Sequence, residues 1–143
     1  MKIAVFLRPN GNEMKKAWMV DDDEDITQAM ERMMRLLGYE LHGFPNAGSA
    51  GMAILRGERP DLILIDVNMP EVSGLELLSF IRSRPGWNRV PAVMVSAETA
   101  DVAVDEALRR GADAYLFKPS TLNEVKKAVG EAVGKRDGGE RGA

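Results

Sequence analysis

The stretch LILIDVNMPEVSGLEL, residues 62–77, decides the reading of the chain. Leu62 to Ile65 are four aliphatic residues with no polar alternation, so the strand they form must be covered on both faces. The run stops at a carboxylate, Asp66. Pro70 and Gly74 then lead into Leu75, Leu78 and Ile81, spaced as one face of a helix. The same grammar recurs at Ala17–Val20, Ala92–Val95 and Ala114–Phe117, and Tyr39–Phe44, which alternates, reads as a strand nearer an edge. Ile26, Met30, Met33, Met34 and Leu37 make a helical stripe closed by Gly38. Leu122, Val125, Val129 and Val133 make another, and 47–56 and 101–110 read as weaker helices. Five β-then-α units predict an α/β fold, a doubly wound five-stranded parallel sheet with helices on both faces.

Composition narrows the function classes. A chain of 143 residues, 45% hydrophobic and 29% charged, is sized and balanced for one globular domain. Its 19 Lys+Arg against 22 Asp+Glu leave −3, which argues against binding nucleic acid by charge alone. The absence of cysteine excludes disulfide scaffolds, thiolate zinc sites and thiol catalysis, and one histidine, His42, excludes mechanisms needing two imidazoles. No apolar run reaches the roughly 20 residues that span a bilayer. We therefore expect a cytoplasmic protein with no membrane or nucleic-acid partner. No P-loop, dinucleotide fingerprint or nucleophile elbow occurs. Residues 1–14 are expected to be an N-terminal extension, 15–134 the domain, and 135–143 (KRDGGERGA), with almost nothing to bury, a disordered C-terminal tail.

The polar residues that terminate the buried runs carry the chemistry. Ala17–Val20 is followed by Asp21-Asp22, Leu62–Ile65 by Asp66, Ala92–Val95 by Ser96, and Ala114–Phe117 by Lys118-Pro119. In open α/β sheets, ligands sit beyond the carboxyl ends of the strands, so these groups should converge on one rim. Close carboxylates repel unless a cation neutralises them. An oxygen-only set of few ligands suits hydrated Mg²⁺. A lysine and a hydroxyl beside a metal and a carboxylate supply what a phosphoryl group needs, and Asp is a known acceptor in covalent phosphoryl transfer. Taken singly, these residues have plainer readings. Asp21–Asp25 suits a helix N-terminus, with Asp25 the expected N-cap; Ser96 could close a strand, Lys118 could reach solvent, and Tyr115 could be core. The methionine stripe, Trp18 and Trp87 are read as packing, Gly74 as relief for a tight helix entry near Asp66, and His42 is given no role.

VDDDEDI at 20–26, the 62–77 stretch, VMVSAE at 93–98 and GADAYLFKP at 111–119, taken in order, resemble the receiver domain of two-component response regulators, from about Lys15 to Val133. The resemblance implies a flavodoxin-like (βα)5 fold with strand order 2-1-3-4-5. It implies Asp66 as phosphoacceptor and Mg²⁺ (or Mn²⁺) held by Asp22 directly, Asp21 through water, Asp66, and the Asn68 carbonyl. It further implies Ser96 and Lys118 on the phosphoryl group, Tyr115 as an aromatic that changes rotamer on activation, and a cis Lys118-Pro119 bond. Asn68 and Glu98 would flank the phosphoryl group and tune its hydrolysis. The implied partners are a histidine kinase or phosphotransfer protein and an unspecified output protein. The implied activity is the chain's own Mg²⁺-dependent phosphorylation and dephosphorylation rather than metabolic catalysis.

A stand-alone receiver is the leading expectation, because only ten residues come after Val133, too few for a helix-turn-helix. A module separated from a longer regulator with a DNA-binding or enzymatic output is the alternative. Haloacid-dehalogenase-like phosphotransferases share the chemistry but need an Asp two residues after the nucleophile, where this chain has Asn68. A pseudo-receiver is disfavoured because every site residue is present.

Overall fold

The computed structural model describes residues 13–97 and 101–142. The elements run β1 (Lys15–Val20), α1 (Glu24–Leu36), β2 (Tyr39–Phe44), α2 (Ala47–Leu55), β3 (Leu62–Asp66), α3 (Gly74–Arg82), β4 (Ala92–Ser96), α4 (Asp101–Arg109), β5 (Ala114–Phe117) and α5 (Leu122–Gly142). All five strands are parallel, in the order β2-β1-β3-β4-β5. The expected fold and order are found, with the alternating strand β2 at an edge. Residues 1–12 lie outside the described residues.

Side-chain alternation along the strands builds two apolar layers. Trp18, Val20, Ile63, Ile65, Ala92 and Met94 pack toward α2 and α3 with Ile54, Leu78 and Ile81. Ala17, Met19, Leu62, Leu64, Val93 and Val95 pack toward α1 and α5 with Met30, Met34, Val125 and Val129. The methionine stripe is thus core. Trp18 stands edge-on to Phe44 with ring centroids 4.8 Å apart and lies 5.7 Å from Trp87, so both tryptophans serve packing.

Two local expectations change. Asp23, not Asp25, caps α1, its side chain accepting from Ile26 N–H at 3.2 Å. The cap must lie three residues before the donor it satisfies, which leaves Asp25 inside the first turn. At the other terminus α5 continues to Gly142, so the segment expected as a tail from Lys135 is helical. Its anchor is Arg136: Nε pairs with Asp113 Oδ1 at 2.7 Å, Nη1 donates to Asn88 O at 2.7 Å and Nη2 to Gly111 O at 2.9 Å. Composition alone hides a single long-range anchor of this kind.

Candidate functional site

Because every strand is parallel, the carboxyl ends of β1, β3, β4 and β5 share one rim. Asp66 ends β3 and Ser96 ends β4, both buried, while Asp21 and Lys118 directly follow β1 and β5. Asp21 is buried and Asp22 exposed. One carboxylate oxygen from each of Asp21, Asp22 and Asp66 falls within 4.8 Å of the others. Lys118 Nζ reaches between two of them, 2.7 Å from Asp21 Oδ2 and 3.3 Å from Asp66 Oδ1. Its backbone N–H donates to Ser96 O at 2.8 Å, tying the lysine to the end of β4, and the Lys118-Pro119 bond is cis, as expected.

Backbone amides complete the frame. Asp23 N–H donates to Asp21 Oδ1 at 2.8 Å and Asn68 N–H to Asp66 Oδ1 at 3.3 Å. Burial, and then the charge of Asp21, hold the Asp66 carboxyl above its ordinary pKa, against the opposing pull of Lys118 and the Asn68 amide. Burial alone would lower the Lys118 ammonium's pKa. The hydrogen bond and charge of Asp21, with Asp66 behind them, outweigh it and raise the pKa. The site therefore holds a charged lysine beside an Asp66 carboxyl whose ionised form lacks enough positive charge.

That deficit is what a divalent cation would fill. Asp21 Oδ2 is buried with the Lys118 ammonium 2.7 Å away, one positive charge among three carboxylates, and the donor set is hard oxygen throughout. Both features fit a small cation such as Mg²⁺. A groove of about 430 Å³ opens beside the acidic pair, lined in part by Thr27, Gln28, Gly43 and Pro45, none singled out from sequence. The available signal was Gly43, where a Cβ would sit 2.8 Å from Thr27 Cγ2.

Gly74 sets the approach of α3 to Asp66. A Cβ there would lie 2.0 Å from Asp66 O and 2.8 Å from Asp66 C, both backbone atoms that cannot swing aside. Its own N–H donates to Val67 O at 2.9 Å, and Ser73 caps the helix through Glu76 N–H at 3.2 Å. Gly74→Ala should therefore displace the end of β3 and cost about 2 kcal/mol or more. Urea denaturation checks this, and an unchanged midpoint would contradict it.

The remaining expected residues are less tightly gathered. The Asn68 side chain is exposed at the rim. The Tyr115 ring is half-buried against the α2/α3 layer, 5.1 Å from the Phe117 ring. Its hydroxyl is buried with no hydrogen-bond partner among the described residues. Glu98 lies outside the described residues.

Residues 17–130 match the family model of the response regulator receiver domain. The chain belongs to the response-regulator receiver family. Among solved structures, this receiver is similar to the chemotaxis protein CheY4 of Vibrio cholerae, 28% identical with TM-score 0.76, over 83% of this chain and 98% of that one. It is also similar to a CheY-like receiver domain protein from Methanospirillum hungatei, 28% identical with TM-score 0.74, over 87% and 97%. Among curated relatives, PrrA of Mycobacterium bovis, a transcriptional regulatory protein, is 33% identical over 82% of this chain and 49% of its own length. The regulatory protein AtoC of Escherichia coli is 31% identical over 80% of this chain and 24% of its own. The receiver thus spans half or less of these curated relatives. No helix among the described residues is long and apolar enough to cross a membrane.

Proposed function

We propose that this receiver accepts a phosphoryl group on Asp66 from a phosphohistidine of a histidine kinase or phosphotransfer protein, and signals by docking to an output protein. The observation that carries the reading is Lys118 Nζ between Asp21 and Asp66, at 2.7 and 3.3 Å, beside an acidic cluster. An Asp66 carboxylate oxygen attacks phosphorus, the P–O bond forms as the donor's P–N bond breaks, and the imidazole leaves with the electron pair of that bond. Asp21, Asp22, Asp66 and the Asn68 carbonyl would hold Mg²⁺, which when bound neutralises the transferring oxygens. Lys118 then pairs with the acyl phosphate, Ser96 hydrogen-bonds it, and Tyr115 turns further inward, where its hydroxyl can gain a partner. The surface of α4, β5 and α5 changes in consequence, a local charge event biasing a two-state element.

Incubation with acetyl phosphate and Mg²⁺ should give one base-labile phosphoryl group per chain by mass spectrometry. Labelling that persists undiminished in EDTA would overturn the metal-dependent reading. Mg²⁺ alone should raise the melting temperature, since it binds the folded cluster. At ten times its Kd the gain is about 1.4 kcal/mol. Asp22→Asn should remove most of that gain, as scanning calorimetry would read.

The phosphoryl state should be short-lived. Asn68 and Glu98, each two residues beyond a site residue, bring an amide and a carboxylate able to orient an attacking water, where bulky apolar side chains would screen it. Decay should be complete within minutes of donor removal, and Asn68→Met with Glu98→Leu should slow it. An adduct that survives for hours, or a lifetime unchanged in the double variant, would contradict this.

Stand-alone action is the reading favoured by the match to 98% of CheY4, whereas the 49% and 24% shares of PrrA and AtoC favour a module of a longer regulator. The mass of the endogenous gene product decides between them.

A further inference from the structure

Two arginines face a pocket at the opposite rim of the sheet, among the loops that precede β3 and β4. The pocket, about 350 Å³, is lined by Ile54, Gly57, Arg59, Arg84, Pro85 and Trp87. Among the described residues no acidic side chain lines it. Among the described residues neither Arg59 nor Arg84 forms an ion pair, while Glu58 is taken by Arg56 at 2.9 Å.

Both guanidiniums are held in place by the fold. Arg84 Cζ lies 5.7 Å from the centroid of the Phe80 ring. Its Nε is buried and has no hydrogen-bond partner among the described residues. Arg59 lies across Gly86, donating from Nη1 to Gly86 O at 2.8 Å. A Cβ on Gly86 would come 2.0 Å from that same nitrogen, and the glycine's φ is +85°, so only glycine lets the arginine lie there. Gly57 opposite also has positive φ, +90°. Two cations that line one pocket without a counter-charge repel, and that repulsion is relieved if a negatively charged acceptor enters.

We propose that this pocket binds a small oxyanion, a phosphate- or carboxylate-bearing molecule, held by charge-assisted hydrogen bonds from the Arg59 and Arg84 guanidiniums that line it. It is separate in place and chemistry from the carboxylate rim, where Asp21, Asp22 and Asp66 repel anions. The volume is at the lower end for small-molecule sites, suiting a phosphate monoester or a compact polycarboxylate rather than a nucleotide.

The test is a two-dimensional amide NMR titration of the full chain with inorganic phosphate and, separately, citrate, at constant ionic strength without Mg²⁺. Saturable shifts should appear at Gly57, Gly86 and Trp87 with at least one anion, and the tighter anion identifies the ligand as phosphate or carboxylate. Arg84→Gln should weaken binding by about tenfold or more. Arg84→Lys, which keeps the charge but lacks the planar guanidinium fork, should also weaken it. Lys118→Ala should leave it unchanged, separating this pocket from phosphate held near Asp66. Shifts that rise linearly without saturation, or equal affinity in Arg84→Gln and Arg84→Lys and the parent chain, would overturn the site. Should Arg84→Gln unfold, Arg59→Gln with the Arg84→Lys arm still decides it.

Discussion

Asp66→Asn should abolish the phosphoryl adduct, with labelling by acetyl phosphate and Mg²⁺ falling to background while the fold survives. The amide is nearly isosteric but is no nucleophile, and the only other buried carboxylate at the rim among the described residues, Asp21, is engaged by Lys118 at 2.7 Å. Loss of labelling through unfolding is separable, because the expected effect on stability has the opposite sign. The folded Asp66 carboxyl sits above its ordinary pKa through burial and the charge of Asp21. A carboxyl whose folded pKa exceeds its unfolded one weakens the fold at pH above both values, and that penalty fades as pH falls through the folded value toward the unfolded one. At neutral pH Asp66→Asn should thus melt at or above the parent chain, and the difference should shrink in acid. Labelling retained in Asp66→Asn would overturn the acceptor assignment; a large drop in melting temperature would overturn the electrostatic account.

Asp113→Ala carries the largest expected loss of stability. The Asp113 side chain is 2% exposed and the Arg82 side chain 12%, their Oδ2 and Nη2 2.9 Å apart. Ala92 N–H donates to the same Oδ2 at 2.9 Å, and Arg136 Nε meets Oδ1 at 2.7 Å. Arg82 also donates to the carbonyls of Gly111 at 2.9 Å and of Trp87 and Val90 at 2.7 Å, binding α3 to the loop before β4 and the turn before β5. Burial foremost, and then Arg136, push the Arg82 pKa down to about 10, so it remains charged at neutral pH. Removing the carboxylate leaves that charge buried beside a second cation and orphans the Ala92 amide. Breaking a buried pair in this way costs about 3–5 kcal/mol. The melting temperature should fall by roughly 10 °C or more. Arg136→Ala should cost less, its side chain being 24% exposed. Equal melting of Asp113→Ala and the parent chain would show that the cluster adds nothing.

The rim and the core were legible in the sequence because their signals are local. A buried strand writes itself as a run of aliphatics, and a strand-end carboxylate or lysine stands out against that run, as Asp66 and Lys118 do. The Asp113 cluster left no such mark. Its partners lie 31 and 23 residues away, and a lone Asp in a glycine-alanine turn resembles any other turn residue. Arg136 was hidden for the same reason inside a stretch whose composition spoke for disorder. Which of Asp23 and Asp25 caps α1 depends on where the chain turns, and a run of acids offers several equivalent starts. The Arg59–Arg84 pocket joins two loops that only the crossovers of the sheet bring together.

The pairing of Trp18 with Trp87 has a spectroscopic consequence. They are the chain's two tryptophans, both buried on the α2/α3 face of the sheet, while the layer beneath α1 and α5 contains none. Intrinsic fluorescence is therefore a one-sided gauge of this protein, blind to loosening of the opposite layer, whereas far-ultraviolet circular dichroism samples the helices of both. Superimposable melting curves from the two probes would mark the layers as one cooperative unit, and displaced curves would time their separation.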